Sequence, residues 1–403
     1  MACEKPYGLR RVFISREYGD THTFYELRVS NIELPKIFAE NVAVDESSGI
    51  RGDSAFVDGN INDLTGTITL TLPKSKADFI NFHPIQTLFT CAGFSTATDS
   101  ILPQNTGSCG NTFTLYTIDR TGLLAERLEG CIVTNIDFTF NRSDAPTVAF
   151  AFTASKKLEF WGSNSDQTAL RSESSSIDID CLNSGVIAYT GLNKSSTFEA
   201  GELPVQIIEG STVESAYISA LTVDAGSNYT ITVTRANPVD HDEAMIKPAI
   251  PAGAVTLTRA SGNMYCSNRG WDVLTDSGPI SDLKIQSASL SIETGLSYGE
   301  LIVGHDYKSE VLVGTLNATG NFTVYVETSA QAVYLSNINA IPDIVWNIQA
   351  GNYKIVMPCL VFTEPPDLAL AKNEAASGDY NFKCYCGESS NALAFNLISL
   401  VSA

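Results

Sequence analysis

Thr67-Ile-Thr-Leu-Thr-Leu72 decides the fold. Ile68, Leu70 and Leu72 fall on one face of an extended chain and the threonines on the other, because side chains alternate along a strand. Such alternation marks an antiparallel strand with one face on a core and one in water. The same period returns in Asn135-Ile-Asp-Phe-Thr-Phe-Asn141, where Ile136, Phe138 and Phe140 share a face. Val148, Phe150 and Phe152 repeat it, as do Ile231 and Val233, and Phe322, Val324 and Val326. The β-branched and aromatic residues in these runs suit a pleated, half-buried surface. The chain reads as all-β.

Helical signals are few. Pro84 at the start and Gly93 past the end bracket Ile85-Gln-Thr-Leu-Phe-Thr-Cys91, and that asymmetry predicts a short helix with Ile85, Leu88 and Phe89 inward. A second helix is expected over residues 329–339, with Ala332, Leu335 and Ile338 at a spacing of three.

These pieces recur in order. A strand at 24–34, a polar loop at 43–60, a strand opened by Gly66-Thr67, the Pro84 helix and a strand pair from Cys131 to Ala154 form one series. A strand at 283–292, a loop at 294–310, a strand pair opened by Gly314-Thr315, the second helix and a strand pair from Cys359 to Cys386 form another. The repeated order points to an internal duplication. A first module is expected over 1–160 and a second over 280–403. Between them a linker, 161–196, rich in Ser and Asn, leads to a small inserted β domain, 197–258, and a return linker, 259–279. Gly226-Ser-Asn228 suits a hairpin turn inside the insertion. The expected architecture is therefore all-β with one short helix per module, two tandem β-sandwich or open-barrel modules and an inserted β domain. A length of 403 residues fits two or three such units.

Composition excludes several functions. The formal net charge is −20, which repels a phosphate backbone rather than binding it. Charged residues are only 17 % of the chain, below the usual quarter, which leaves neutral surface that buries readily against partners. Nine scattered cysteines give an odd number in a large chain and imply no disulfide framework. Met1 to Arg16 is charged and lacks an apolar core, so no secretory leader is expected. No apolar run is long enough for a transmembrane helix. Synthesis in a reducing cytoplasm, with most thiols free and buried, is the expectation.

Catalytic motifs are missing from the sequence: it contains no HExxH, GxSxG, GxxxxGK[ST] or GxGxxG. Asp240-His-Asp-Glu243 is the densest polar cluster. Carboxylates and imidazole suit a divalent cation, but the cluster lacks an EF-hand spacing and reads as a solvated loop between Pro238 and Pro248. Cys384-x-Cys386 places two thiols about 6.6–6.8 Å apart on one strand face, without the second pair a zinc site needs; buried strand thiols are the plainer reading. Arg51-Gly-Asp53 matches an adhesion tripeptide and reads as coincidence. A glycosidase pair of carboxylates needs no motif, yet aromatic residues are 9 % and the tryptophans, Trp161, Trp271 and Trp346, are far apart. The chain reads as a non-enzyme.

The order and spacing of the pieces resemble the tail tube proteins of long-tailed bacteriophages over nearly the whole chain. Arg11-Val-Phe-Ile-Ser15 looks like that family's opening strand, and Asp45-Glu-Ser-Ser-Gly-Ile-Arg-Gly-Asp53 like its long polar loop. Leu64-Thr-Gly-Thr-Ile-Thr-Leu70 is similar to the strand that follows. Glu129-Gly-Cys-Ile-Val-Thr-Asn135 with Asp144-Ala-Pro-Thr-Val-Ala-Phe150 resembles the family's strand pair. Ala288 to Glu293, Gly295-Leu296 and Val311-Leu-Val-Gly-Thr315 look like the pattern again.

The resemblance implies tail-tube-like modules whose sheets join side by side into rings, with rings stacked into a hollow tube for DNA delivery. Two modules imply the branch that forms homotrimeric, pseudo-sixfold rings. The chain would be a virion protein of the phage tail, assembled in the host bacterial cytoplasm, without cofactor, catalytic residue, metal or membrane contact. Its partners would be itself and the tape measure, tail terminator and tail tip proteins, with DNA passing through without specific binding. Loops 43–60 and 294–310 would reach a neighbouring ring or subunit, through Asp45, Glu46, Arg51, Asp53, Asp58, Glu300, His305, Asp306 and Lys308. The insertion would decorate the outside. A β-sandwich receptor- or glycan-binding tail fibre or adhesion module is the alternative. Elementary physics favours assembly, because exposed strand edges invite pairing and ring closure removes them.

Overall fold

The computed structural model describes residues within 10–400; the longer stretches outside the described residues are 45–54, 75–82, 104–110, 257–264, 276–283, 301–307, 327–345, 364–375 and 385–398. The first part of the chain holds β1 (Arg10–Arg16), β2 (Tyr25–Leu27), β3 (Asn31–Glu33), β4 (Ala39–Val44), β5 (Ala55–Ile61) and β6 (Leu64–Thr71). The helix α1 (His83–Cys91) follows, then β7 (Phe94–Thr96), β8 (Ile101–Pro103), β9 (Phe113–Asp119), β10 (Leu124–Asn141), β11 (Thr147–Ala154) and β12 (Lys156–Trp161). α1 buries Ile85, Leu88 and Phe89 as its pattern predicts. The second expected helix lies outside the described residues.

β10 organises this half. Its 18 residues serve two sheets. The first half sits between β9 and β12 in the sheet β2-β1-β9-β10-β12. The second half pairs β11 in the sheet β3-β6-β11-β10. Between the halves the register with β9 shifts from Leu128 to Cys131, and Gly130 adopts φ +60°. Only glycine takes that conformation at little cost, and such a bulge re-aims the strand from one sheet to the other.

The middle of the chain forms β13 (Thr168–Leu170), β14 (Ser176–Asp180), β15 (Ile187–Thr190), β16 (Ser196–Thr197), β17 (Pro204–Glu209), β18 (Thr212–Asp224), β19 (Asn228–Arg235) and β20 (His241–Pro248). Seven of these make one sheet, β13-β20-β17-β18-β19-β14 with β16 on β18. The segment expected as a linker, 161–196, is thus not one: β13 and β14 belong to the inserted sheet, and β15 pairs β12 of the first repeat. Ser and Asn suggest a linker by composition, but Ile177, Ile179 and Leu170 have the spacing of strands. The insertion lies on the outer face of sheet β1-β9-β10-β12. Phe13, Tyr116, Ile118 and Phe160 from that face share one buried cluster with Val205, Ile207, Ile218 and Val233.

The last part holds β21 (Trp271–Thr275), β22 (Lys284–Glu293), β23 (Leu296–Tyr298), β24 (Val311–Val313), β25 (Asn317–Val326), β26 (Trp346–Ala350), β27 (Tyr353–Met357), β28 (Leu360–Phe362), β29 (Ala376–Cys384) and β30 (Ser399–Leu400). The sheets run β21-β26-β27-β30 and β22-β25-β29-β28. The expected return linker, 259–279, also proves structural: β21 pairs β26, and Cys266 and Trp271 enter the main core.

The two orders are the same. β1-β9-β10-β12 corresponds to β21-β26-β27-β30, and β3-β6-β11-β10 to β22-β25-β29-β28. Details repeat too. Gly66 lies opposite Phe152, and Gly320 opposite Phe382; a Cβ on either glycine would come closer than 3.0 Å to that ring and to a neighbouring carbonyl, of Glu33 or Ser289. The Thr134 hydroxyl donates to the Ala151 carbonyl, and Thr363 to that of Asn381, each at 3.3 Å. The counterpart of Gly66 is therefore Gly320, not Gly314, and Val133 matches Phe362, not Val361. Glycine is frequent in turns as well as at close approaches, so identity alone misaligned the repeats.

Candidate assembly surface

The repeats meet edge to edge. The second half of β10 pairs β22 over Asn135↔Glu293 to Asn141↔Ser287, which fuses the two four-stranded sheets into one of eight. Ile136 faces Ile292 and Phe138 faces Leu290, all fully buried. The Thr294 hydroxyl donates to the Val133 carbonyl at 2.8 Å and seals one end of the joint. A single core runs beneath, from Ile68 and Phe150 to Phe322 and Phe382.

The outer strands of this sheet, β3 and β28, each pair one neighbour, β6 and β29, among the described residues. Repeat equivalence makes β3 the counterpart of β22, and β28 the counterpart of β10 where it turns into the joint. Ala288 and Leu290 are buried at the joint, and Cys131 is buried on β10 just before it. Their counterparts at the outer edges, Ile32, Leu34 and Leu360, are only half-buried against the same core. Val361 is 42 % exposed. Among the described residues the core is complete at the internal joint and less covered at both outer edges.

The face of the eight-stranded sheet turned from the core carries hydroxyls and amides: Thr67, Thr69 and Thr71 on β6, Asn135 and Thr139 on β10, Ser287 and Ser289 on β22, Asn321 and Thr323 on β25. They bond across strands. Ser287 meets Thr323 at 2.9 Å, Thr323 donates to Asp379 at 2.7 Å, and Asn321 to Asn381 at 3.0 Å. Asn135 donates to Asp137 at 2.8 Å. Glu33, Asp137, Glu293 and Asp379 stand on this face against Lys284 and Lys383, so its field is weakly negative.

The expected contact loops are in part strands. β4 and β5 pair as a hairpin arm where a loop was read, and β23 pairs β24 in the second repeat. Asp58 stands on β5 opposite Asn41, and Glu300 is exposed after β23. Asp45, Glu46, Arg51, Asp53, His305 and Asp306 lie outside the described residues. Lys308 is engaged within the chain: its carbonyl accepts the Ser155 hydroxyl at 2.6 Å and its ammonium pairs Asp63. The Tyr298 hydroxyl donates to the Gly130 carbonyl at the bend of β10. The second arm therefore docks on the first repeat. Leu312 and Val313 on β24 remain exposed, at 46 % and 54 %.

The Asp240 cluster opens strand β20 where a solvated loop between Pro238 and Pro248 is expected. Among the described residues no group of three His, Cys, Asp or Glu is arranged to hold a metal ion. His241 opens β20 and is buried against Glu214, 3.1 Å from Nε2 to Oε2. Asp242 pairs Arg171 at 2.8 Å, and Asp240 accepts the Ser172 amide at 2.6 Å. Hydrogen bonds from Ser172, side chain and backbone, hold the Asp240 carboxyl below its usual value. Of the Cys384-x-Cys386 pair, Cys384 is half-buried on β29 and Cys386 lies outside the described residues.

Sequence reading missed two buried ionic networks. Lys157 reaches Glu126 and Glu159, each at 2.7 Å, and donates to the Pro35 carbonyl at the root of the first arm. Arg127 joins Glu129 at 2.7 Å to Glu202 of the insertion at 2.8 Å. Charges two apart on β10 and β12 gave no signal, because the covering insertion is remote in sequence. No helix among the described residues is long and apolar enough to cross a membrane. No family model matches this chain, and no curated protein matches it either.

Proposed function

We propose that this chain is the structural subunit of a phage-like tail tube: three copies close into a ring and rings stack into a hollow conduit for DNA. The internal β10–β22 joint carries the reading. It is a subunit junction built into one chain, and it leaves two outer edges that are unfinished copies of its two sides. Exposed edges pair with other chains, and a heterologous contact closes when its rotation divides a full turn. Three copies of an eight-stranded sheet make 3 × 8 = 24 strands. With about 4.8 Å between strands and a tilt near 40°, such a barrel spans roughly 45–50 Å across its backbone, wide enough for a duplex.

The hydroxyl and amide face is the lumen in this reading. Ser287, Asn321 and Thr323 spend donors on cross-strand neighbours, and its weak negative field keeps phosphates mobile. The insertion, on the far side of the intervening sheet, decorates the outside. Tape measure, terminator and tip proteins are the partners this reading implies, and the virion tail the location. Negative-stain electron microscopy of the purified full chain over a concentration series tests it. Hollow tubes or rings of uniform width with three or six lobes are expected. Small discrete particles at every concentration, together with saturable binding on a glycan array, would replace it with a receptor-binding module.

A further inference from the structure

His241 sits in the insertion with both ring nitrogens facing carboxylates. Nε2 is 3.1 Å from Glu214 Oε2 on β18, and Nδ1 is 3.2 Å from Glu209 Oε2 on β17, off the best hydrogen-bond direction. The imidazole is fully buried. A neutral imidazole has one N–H and one lone pair, so one of these contacts would set a lone pair against a carboxylate oxygen. An imidazolium donates from Nε2 to Glu214 and sets a second, positively charged N–H beside Glu209.

The surrounding charge favours the proton. Arg235, at the end of β19, spends its charge on Glu214 through Nε to Oε1 at 2.7 Å and Nη2 to Oε2 at 2.5 Å. Its remaining donors go to the Arg171 and Val239 carbonyls. Among the described residues no lysine or arginine pairs with Glu209; its Oε1 accepts the Asp242 and Glu243 amides at 3.2 and 3.3 Å. Arg171 is paired with Asp242, and Asp240 and Glu243 add negative charge at the rim. With His241 neutral, the buried pair of Arg235 and Glu214 is balanced, and the half-exposed Glu209 carboxylate faces the ring without a positive charge.

We infer that His241 is a proton-operated clasp that ties the ends of β17, β18 and β20 together when protonated and loosens them when not. The contribution is present while the ring is protonated and is lost as pH rises and the proton leaves. It holds whether or not the chain polymerises.

Thermal unfolding of the full chain tests this, followed by amide exchange in β17 to β20 between about pH 8 and about pH 6. The wild-type midpoint of these strands should rise by roughly 4 °C or more on acidification. His241→Gln and Glu209→Gln should abolish the rise. An equal rise in both variants, or none in the wild type, overturns the clasp. If His241→Gln does not fold, Glu209→Gln and nitrogen-15 spectra of the histidine rings decide. Two N–H groups on His241 at about pH 6 are expected, and a single one overturns it.

Discussion

Gly66 and Gly320 show how a single residue can fix a repeat. Each lies where an opposing phenylalanine ring, Phe152 or Phe382, covers the strand and a carbonyl approaches from the next strand. No φ strain is involved; the space is simply taken. Gly66→Ala and Gly320→Ala should each cost about 1–3 kcal/mol by overpacking, read as a lower denaturation midpoint. Glu214 makes a second residue-scale case. Burial alone would raise its carboxyl, but hydrogen bonds from Arg235, His241 and the Val239 amide hold it below its ordinary value. A depressed carboxyl stabilises the fold above the unfolded value, near 4.3, and that stability is lost as pH falls through the folded one. Acid titration monitored by circular dichroism should show the insertion losing stability below about pH 4.3. Glu214→Gln should flatten that limb and cost about 3–5 kcal/mol by leaving the buried Arg235 without its partner.

At the scale of elements, β10 carries most of the architecture. Its alternation over 135–141 is readable, and the structure confirms Ile136, Phe138 and Phe140 as core. Its first half is buried on both faces, Leu124 to Leu128, because one side meets the core and the other the insertion. A strand covered twice loses the alternation that identifies strands. Asp137→Pro would remove a ladder donor in a strand flanked on both sides by β11 and β22. It should destabilise the chain by about 3 kcal/mol or more, measured by chemical denaturation. The insertion is held by Tyr116, whose hydroxyl donates to the Ala249 carbonyl at 2.8 Å; burial pushes that phenol upward despite Arg127 nearby. Tyr116→Phe should cost about 1 kcal/mol, with faster amide exchange in β20 as the readout.

The whole molecule is a stack of three β layers: the eight-stranded sheet, the sheet β1-β9-β10-β12 with its counterpart in the second repeat, and the sheet of the insertion. The layers place the hydroxyl face and the insertion on opposite sides. If the proposed assembly is right, reversing the charge of the open face should make the conduit grip its cargo. Asp137→Lys with Asp379→Lys should give tubes of unchanged width that retain duplex DNA in a salt-dependent way. Retention equal to wild type would show that this face is not the lumen.

The sequence by itself determined the strand class, the first helix, the core faces of β6, β10, β11 and β25, and a recurring order of elements. These are local properties: a period of two is written in neighbouring residues, and hydrophobic burial follows from it. The tertiary structure alone decided the register of the repeat, the fusion of two sheets at β10 and β22, the strands within 161–196 and the fate of His241. Each depends on residues far apart in the chain that meet only after folding, so no spacing announces them. Lys308 illustrates the difference: in sequence it is one polar residue of a loop, and in the fold it bridges the repeats, because β22 lies beside β10 and brings the arm across Gly130.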